Sequence, residues 1–334
     1  MYSSSPALVT GATGFVGSAV VRALLARGQA VRVLVRRGSD RANLAGLDVT
    51  VAEGDLTDPA SLARAVAGCR YLFHVAADYR IWVPDPAAML RANVDGTIAL
   101  MQAALGAGVA RIVYCSSVAA LGLTNDGSPA DETTPVVEAN VVGIYKKSKF
   151  RAEQAVLGLV RDAKLPAVIV NPAAPIGPRD IKPTPTGKMI ADAASGRMPA
   201  YVDTGLNVVH VDDVARGHLL ALEHGRIGER YILGGENLTL AQLLAMVAAQ
   251  VGRKPPRIKL AREVLWPLAL ACEGIARITG EEPLVTRDHL RMARKLMFFS
   301  SAKAIAELGY QPRPATEAIA DAIAWFRAHG RIAP

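Results

Sequence analysis

Short apolar runs alternate along this chain with longer segments in which apolar residues recur every three or four positions. Ala7-Leu8-Val9, Ala30 to Val35, Val49 to Glu53, Tyr71 to Val75, Ile112 to Cys115 and Ala167 to Val170 read as strands. Between them, Ser18 to Arg27 sets Val20, Val21, Leu24 and Leu25 on one helical face. Asp58-Pro59 opens a helix to Val66, with an acid at the N-cap and proline at the first helical position. Longer helices are predicted over 86–107, carrying Asn93, and over 142–162. This alternation predicts an α/β fold, a doubly wound parallel sheet with helices on both faces.

After Asn171 the pattern changes. Residues 171–178 and 182–187 are rich in proline and read as a stiff, extended loop. Helices are then expected near 240–251, 260–278, 302–308 and 316–329. The apolar stripe of 260–278 is expected in the core, with an apolar ligand or a membrane surface as the other use for it. The division expected is a dinucleotide-binding domain over 1–171 and a mostly substrate-binding lobe over 172–334, with elements around 206–233 returning to the large sheet.

The stretch Thr10-Gly11-Ala12-Thr13-Gly14-Phe15-Val16-Gly17 joins the first strand to the first helix. A helix start offers unpaired N–H groups and partial positive charge, both suited to a pyrophosphate, and glycines let the phosphates come close. Strand two ends in Arg36-Arg37, where an acid would favour a free 2′-hydroxyl. Guanidinium forks suit a 2′-phosphate instead, so NADP(H) is preferred and NAD(H) is the alternative. Arg36, Asp55, Ala76, Ser117 and Asn171 all fall at carboxyl ends of strands, where such sheets bind ligands.

Tyr145 and Lys149 are four residues apart and share a helix face. A nearby ammonium favours phenolate and is expected to bring the tyrosine toward neutrality, making it a proton relay for a carbonyl oxygen. Ser117 ends the adjacent strand and can hydrogen-bond the same oxygen. Tyr79, Trp82 and Tyr201 line a pocket or pack in the core. His74 and His210 read as structural, and Asp212 or Asp213 as the cap of a helix through Glu223.

Composition narrows the partners. The chain has 334 residues, half of them hydrophobic, and a net charge of +8. Its cations are scattered and its aromatics few, which argues against nucleic acid. No apolar run approaches a membrane span and no export signal is visible. Three separated cysteines suggest neither a metal site nor a disulfide framework, so a cytoplasmic protein, peripheral to a membrane at most, is expected.

The glycine stretch, Gly54-Asp55-Leu56, Asn93, Ser117, Tyr145/Lys149 and Val209 to Ala215 resemble the extended short-chain dehydrogenase/reductases. Within them the chain resembles dihydroflavonol 4-reductases. His74 to Arg80, Asn171-Pro172, Ile176 to Gly187 and Ile232 to Asn237 look like the hopanoid-associated sugar epimerase group. The resemblance implies a Rossmann fold, Ser117, Tyr145 and Lys149 as catalytic triad, and a small-molecule substrate. It implies cofactor contacts at Gly11, Thr13, Gly14, Phe15, Val16, Gly17, Arg36, Asp55, Leu56, Val75, Ala76, Ala77, Asn93, Ser116, Pro172, Ala173 and Ala174. Asp78, Tyr79, Asn171 and Tyr201 are the substrate candidates. A homodimer through helices 86–107 and 142–162 is also implied. Two departures count against a nucleotide-sugar epimerase. Arg36 replaces the usual acid, and Leu206 stands where such enzymes often keep an arginine for the pyrophosphate. A hydride-transferring reductase is the reading, with a sugar epimerase/dehydratase and a non-catalytic NADP(H)-binding sensor as alternatives.

Overall fold

The computed structural model describes residues 5–332 except 81, 281, 282 and 284. In chain order the first elements are β1 (Ala7–Thr10), α1 (Phe15–Ala26), β2 (Val31–Val35), β3 (Thr50–Glu53), α2 (Pro59–Val66) and β4 (Tyr71–His74). There follow α3 (Pro86–Leu90), α4 (Gly96–Gly106), β5 (Arg111–Cys115), α5 (Ile144–Ala163) and β6 (Ala167–Pro172). Next come β7 (Ala174–Ile176), α6 (Pro185–Ala194), β8 (Ala200–Val202), β9 (Gly205–His210), α7 (Val211–His224) and β10 (Arg230–Leu233). The chain continues through β11 (Glu236–Thr239), α8 (Leu240–Gln250), β12 (Ile258–Leu260), α9 (Trp266–Thr279) and α10 (Arg287–Met292). It closes with β13 (Leu296–Met297), α11 (Ala302–Leu308) and α12 (Ala315–Ala328).

Seven parallel strands form one sheet in the order β10-β6-β5-β4-β1-β2-β3. Successive side chains of a strand face opposite sides, and here both sides are dry. Val9, Phe73, Val113 and Val168 pack toward α1 and α7, while Leu8, Leu72, Ile112 and Ile169 pack toward α2, α4 and α5. The predicted doubly wound sheet is therefore present. The connections reverse direction between β1 and β4, so a crevice opens at their carboxyl ends.

The predicted helix 86–107 is interrupted. Asp85 caps α3, accepting from Ala87 N at 2.9 Å, and Pro86 opens it. Residues Arg91–Asp95 then form a π-helical turn before α4. Such turns shift the register of side chains and are frequent at functional sites; this one carries Asn93.

The proline-rich stretch is not an extended loop throughout. Pro172 ends β6, Pro175 lies in β7, and Pro185 opens α6 behind Thr184, whose hydroxyl accepts from Gly187 N at 3.1 Å. Proline fits both settings because neither needs its missing N–H. Around α6, α8 and α12 a second core collects Ile190, Val208, Leu243, Ile319 and Phe326.

Two further expectations fail. His210, not Asp212 or Asp213, caps α7: its Nδ1 accepts from Asp212 N at 3.0 Å. Segment 260–278 turns its large side chains outward. It begins as β12 and a 3₁₀ turn, and α9 starts only at Trp266. Val264, Leu268, Ile275 and Ile278 are 71%, 46%, 61% and 89% exposed, whereas Ala269 and Ala276 are buried. Periodicity locates an apolar face but not what covers it.

Candidate active site

The crevice has a volume of about 1950 Å³. Gly11 forms its floor at a left-handed φ of +69°, and a Cβ there would lie 2.7 Å from Ala76 N. A Cβ on Gly17 would collide with the Gly11 carbonyl. These bare positions seat the turn against the end of β4 and bring the start of α1 to the crevice. Gly14 caps α1 with no side-chain hydrogen bond, and the first turn holds no acid. Unpaired N–H groups thus face the cavity, a cradle that fits a pyrophosphate.

Toward one end lie Arg36, Arg37 and Arg64 with Asp40, Asp55 and Leu56. Asp55 is fixed by Thr57, whose N and Oγ1 donate to it at 2.8 and 2.7 Å. Asn43 had no sequence signal. Its amide donates to Thr13 O at 3.1 Å and Arg179 O at 3.2 Å, tying the glycine loop to the opposite wall.

Deeper in, Asn93 accepts from Asp78 N at 2.7 Å and donates to Asp78 O at 2.8 Å and Ser148 Oγ at 2.9 Å. It pins the segment after β4 to α5. Ser117, Tyr145 and Lys149 come together on that side. The Tyr145 phenol and Ser117 share this wall, near enough for Ser117 to favour the phenolate in part. Lys149 is buried, donates to Cys115 O at 2.8 Å and sits 4.9 Å from the Tyr114 ring centroid. The phenol is not tuned toward neutrality. Burial pushes it up to about 12, and the Ser117 side chain offsets this only in part. The expectation fails because burial dominates, while the Lys149 ammonium is turned to Cys115 O and the Tyr114 ring.

Every predicted cofactor and catalytic residue lines this crevice, as do Asp78 and Tyr79. Asn171 and Tyr201 do not. Asn171 is fully buried, and its amide donates to Ser117 O at 3.0 Å and Glu153 Oε2 at 2.7 Å. It positions Ser117 from behind and has no face toward a substrate. Tyr201 packs against the core around α6, α8 and α12. Trp82 also lies off the crevice lining. Glu153, missed in the sequence, is buried and bridges Asn171 to Arg230 Nη1 at 3.4 Å. Its only signal is its place four residues after Lys149, on the same helix face.

His74 supports the site from below. Thr97 Oγ1 donates to Asn93 O at 2.7 Å, so it accepts from His74 Nε2 at 2.8 Å. Nδ1 then accepts from Thr10 Oγ1 at 2.8 Å. This assigns the neutral Nε2–H tautomer. Burial, then the charge of Lys149, lowers the imidazole to about 3.

A doubly wound sheet whose glycine cradle faces a Ser–Tyr–Lys set defines a dinucleotide-dependent enzyme. The chain belongs to the NAD dependent epimerase/dehydratase family, whose profile matches residues 7–234. Among curated relatives, a Synechocystis sp. protein with the provisional name dihydroflavonol 4-reductase is 44% identical, covering 97% of this chain and 95% of its own. Sterol demethylase protein B of Methylococcus capsulatus is 38% identical, covering 97% and 99%. The crystal structure of gox2253 is 65% identical, with a TM-score of 0.89 over 98% and 99% of the two chains. The family and these relatives make it an NAD(P)-dependent enzyme of oxidoreductase, epimerase or dehydratase type. Among the described residues no helix is long and apolar enough to cross a membrane.

The His74 tautomer has a consequence for stability. The unfolded imidazole protonates near its ordinary value of 6.5, the folded one only near 3, so stability is complete above 6.5 and is lost as pH falls. Between about pH 7.5 and 5.5 this removes about 1.4 kcal/mol. Urea unfolding at the two pH values should show a loss greater by about that amount in the native chain than in His74→Gln, since His218, also buried and lowered to about 4, contributes equally to both. Equal losses in both would overturn the assignment.

Proposed function

We propose that this protein is an NADP(H)-dependent oxidoreductase, similar to dihydroflavonol 4-reductases, that transfers hydride at a secondary alcohol or ketone of a small apolar molecule. The observation that carries this reading is Tyr145 and Ser117 together on the crevice wall, with Lys149 buried beside Cys115 O. A phenol held well above neutral pH stays protonated, which is the form a reduction consumes.

In this reading Gly11, Thr13, Gly14, Phe15, Val16 and Gly17 hold the pyrophosphate, and Arg36 the 2′-phosphate. Asp55 and Leu56 border the adenine. Val75 to Ala77, Asn93, Ser116, Lys149 and Pro172 to Ala174 hold the nicotinamide half. The cofactor, when bound, supplies the hydride. Ser117 polarises the substrate oxygen, Tyr145 gives it a proton, and the Lys149 charge steadies the phenolate left behind. Asp78 and Tyr79 meet the substrate at the mouth. Leu121, Leu123, Val136, Met297 and Phe299 give that end apolar walls. The names of the two curated relatives, a flavonoid reductase and a sterol protein, agree with an apolar ring.

Arg36→Asp should weaken NADP⁺ binding relative to NAD⁺ by about tenfold or more, read by calorimetry. An unchanged preference rejects the NADP(H) assignment. Tyr145→Phe should lower NADPH turnover with an apolar ketone by about 10²-fold or more while leaving NADP⁺ affinity intact. A dinucleotide retained through purification, with no net turnover, would favour the epimerase alternative instead.

Two copies of the chain pair, in this proposal, through α4 and α5, which pack side by side over one face of the sheet. Light scattering at 35.2 kDa rather than twice that mass would reject the pairing. The outward face of α9 suits a membrane surface. Its aliphatic side chains are exposed, and the segments before and after it in sequence carry exposed Arg253, Lys254, Arg257 and Arg294; apolar bulk with cations fits anionic lipid. Vesicles containing anionic phospholipid should sediment the native chain but not an Ile275→Asp/Ile278→Asp variant. Equal recovery in the supernatant would remove the membrane role.

A further inference from the structure

The substrate end of the crevice holds an ammonium without an oxygen partner. Lys146 follows Tyr145, lines the crevice and is mostly buried. Among the described residues its Nζ meets only the Sδ of Met297, at 3.7 Å. A thioether is a weak acceptor. Removing an ammonium from water without an anion to face it costs several kcal/mol.

Its surroundings worsen that position. Lys146 lies in the first turn of α5, which contains no acid, and the positive end of a helix disfavours a cation there. Lys295 lines the same wall, and its charge adds to the effect of burial. Together they bring Lys146 down to about 8, burial being the larger cause. The carboxylate of Asp288 comes near this helix start, 3.8 Å from where a Cβ on Gly143 would stand. It is already taken by Arg291 at 3.2 Å. Nothing in the fold gains from a lysine so placed, whereas an anion entering the crevice would relieve burial, dipole and like-charge repulsion at once.

We propose that Lys146, with Lys295 beside it, forms an anion subsite, so that the substrate is an apolar alcohol or ketone that also bears a carboxylate or a phosphate. The alcohol or ketone rests on the oxidoreductase reading above; the anion rests on the surroundings of Lys146 alone. Lys146 is thus a specificity residue one position from the proton donor, and the acidic group it holds lies at the opposite end of the crevice from the Arg36 side.

The subsite is tested by binding, without turnover. Calorimetry on the NADP⁺-loaded chain would compare decanoate, decyl phosphate and decanol, each below its aggregation limit. At least one anion should bind one-to-one and about tenfold or more tighter than decanol. The stronger of the two anions identifies the headgroup. Lys146→Met should reduce the preference to about twofold or less, while Lys147→Met, one residue along and off the crevice lining, should keep it. Equal binding of decanol and both anions by the native chain, or a preference that survives Lys146→Met, overturns the proposal. Failure of the native chain to bind NADP⁺ would instead reject the oxidoreductase reading, and the anion preference would still be read on the chain alone.

Discussion

The absence of two Cβ atoms governs the whole site. Gly11 touches the backbone of Ala76, and Gly17 touches the carbonyl of Gly11, so any side chain at either place would push β1, β4 and α1 apart. With those contacts made, the start of α1 must open onto the gap where the sheet reverses its winding. The helix N-terminus then supplies anion-binding N–H groups that no later loop has to provide. Everything downstream, including the position of Tyr145 relative to the nucleotide end, is measured from that closely packed corner.

Two buried polar webs keep the corner and the reacting groups in register. Thr10, His74, Thr97 and Asn93 run from β1 to the π turn and fix the segment after β4. Asn171, Glu153 and Arg230 run from β6 to β10 and hold the backbone of Ser117. Buried polar groups weaken a fold unless each finds its partner. Here each partner lies on a different strand or helix, so losing one group would loosen two elements. The site depends on these webs for precision more than on the residues that line it.

Much of this was legible because it is local. Strand runs, the N-cap of α2, the glycine turn and the four-residue spacing of Tyr145 and Lys149 depend on neighbours in sequence, and each stands where the pattern puts it. What failed depends on distant partners. Asn171 sits at a strand end like a ligand residue, but Glu153 draws its amide away. Tyr201 belongs to a core whose other side comes from α12, more than a hundred residues on. The acidity of Tyr145 turns on how deeply the fold buries it, which spacing does not say. The outward face of α9 has the period of a core helix and lacks only the cover. Pro185 and the π turn show the limit of local rules in another way: one residue type opens a helix or ends a strand according to the cap beside it.

The charges along the crevice follow one logic. Arg36 and Arg37 stand at one end, Lys146 and Lys295 at the other, and the bare start of α1 lies between. These features draw anionic ligands inward from either side. Between them, beside the Lys149 ammonium, burial keeps His74 neutral and Tyr145 a phenol. The crevice thus has a deep middle flanked by basic ends. The two webs secure the middle and the variable lobe one of the ends, since β13 and the segment before it supply the cationic and apolar wall facing α5. The middle of the crevice is thus held by the large sheet and its helices, while part of its wall comes from a segment that the sheet does not constrain.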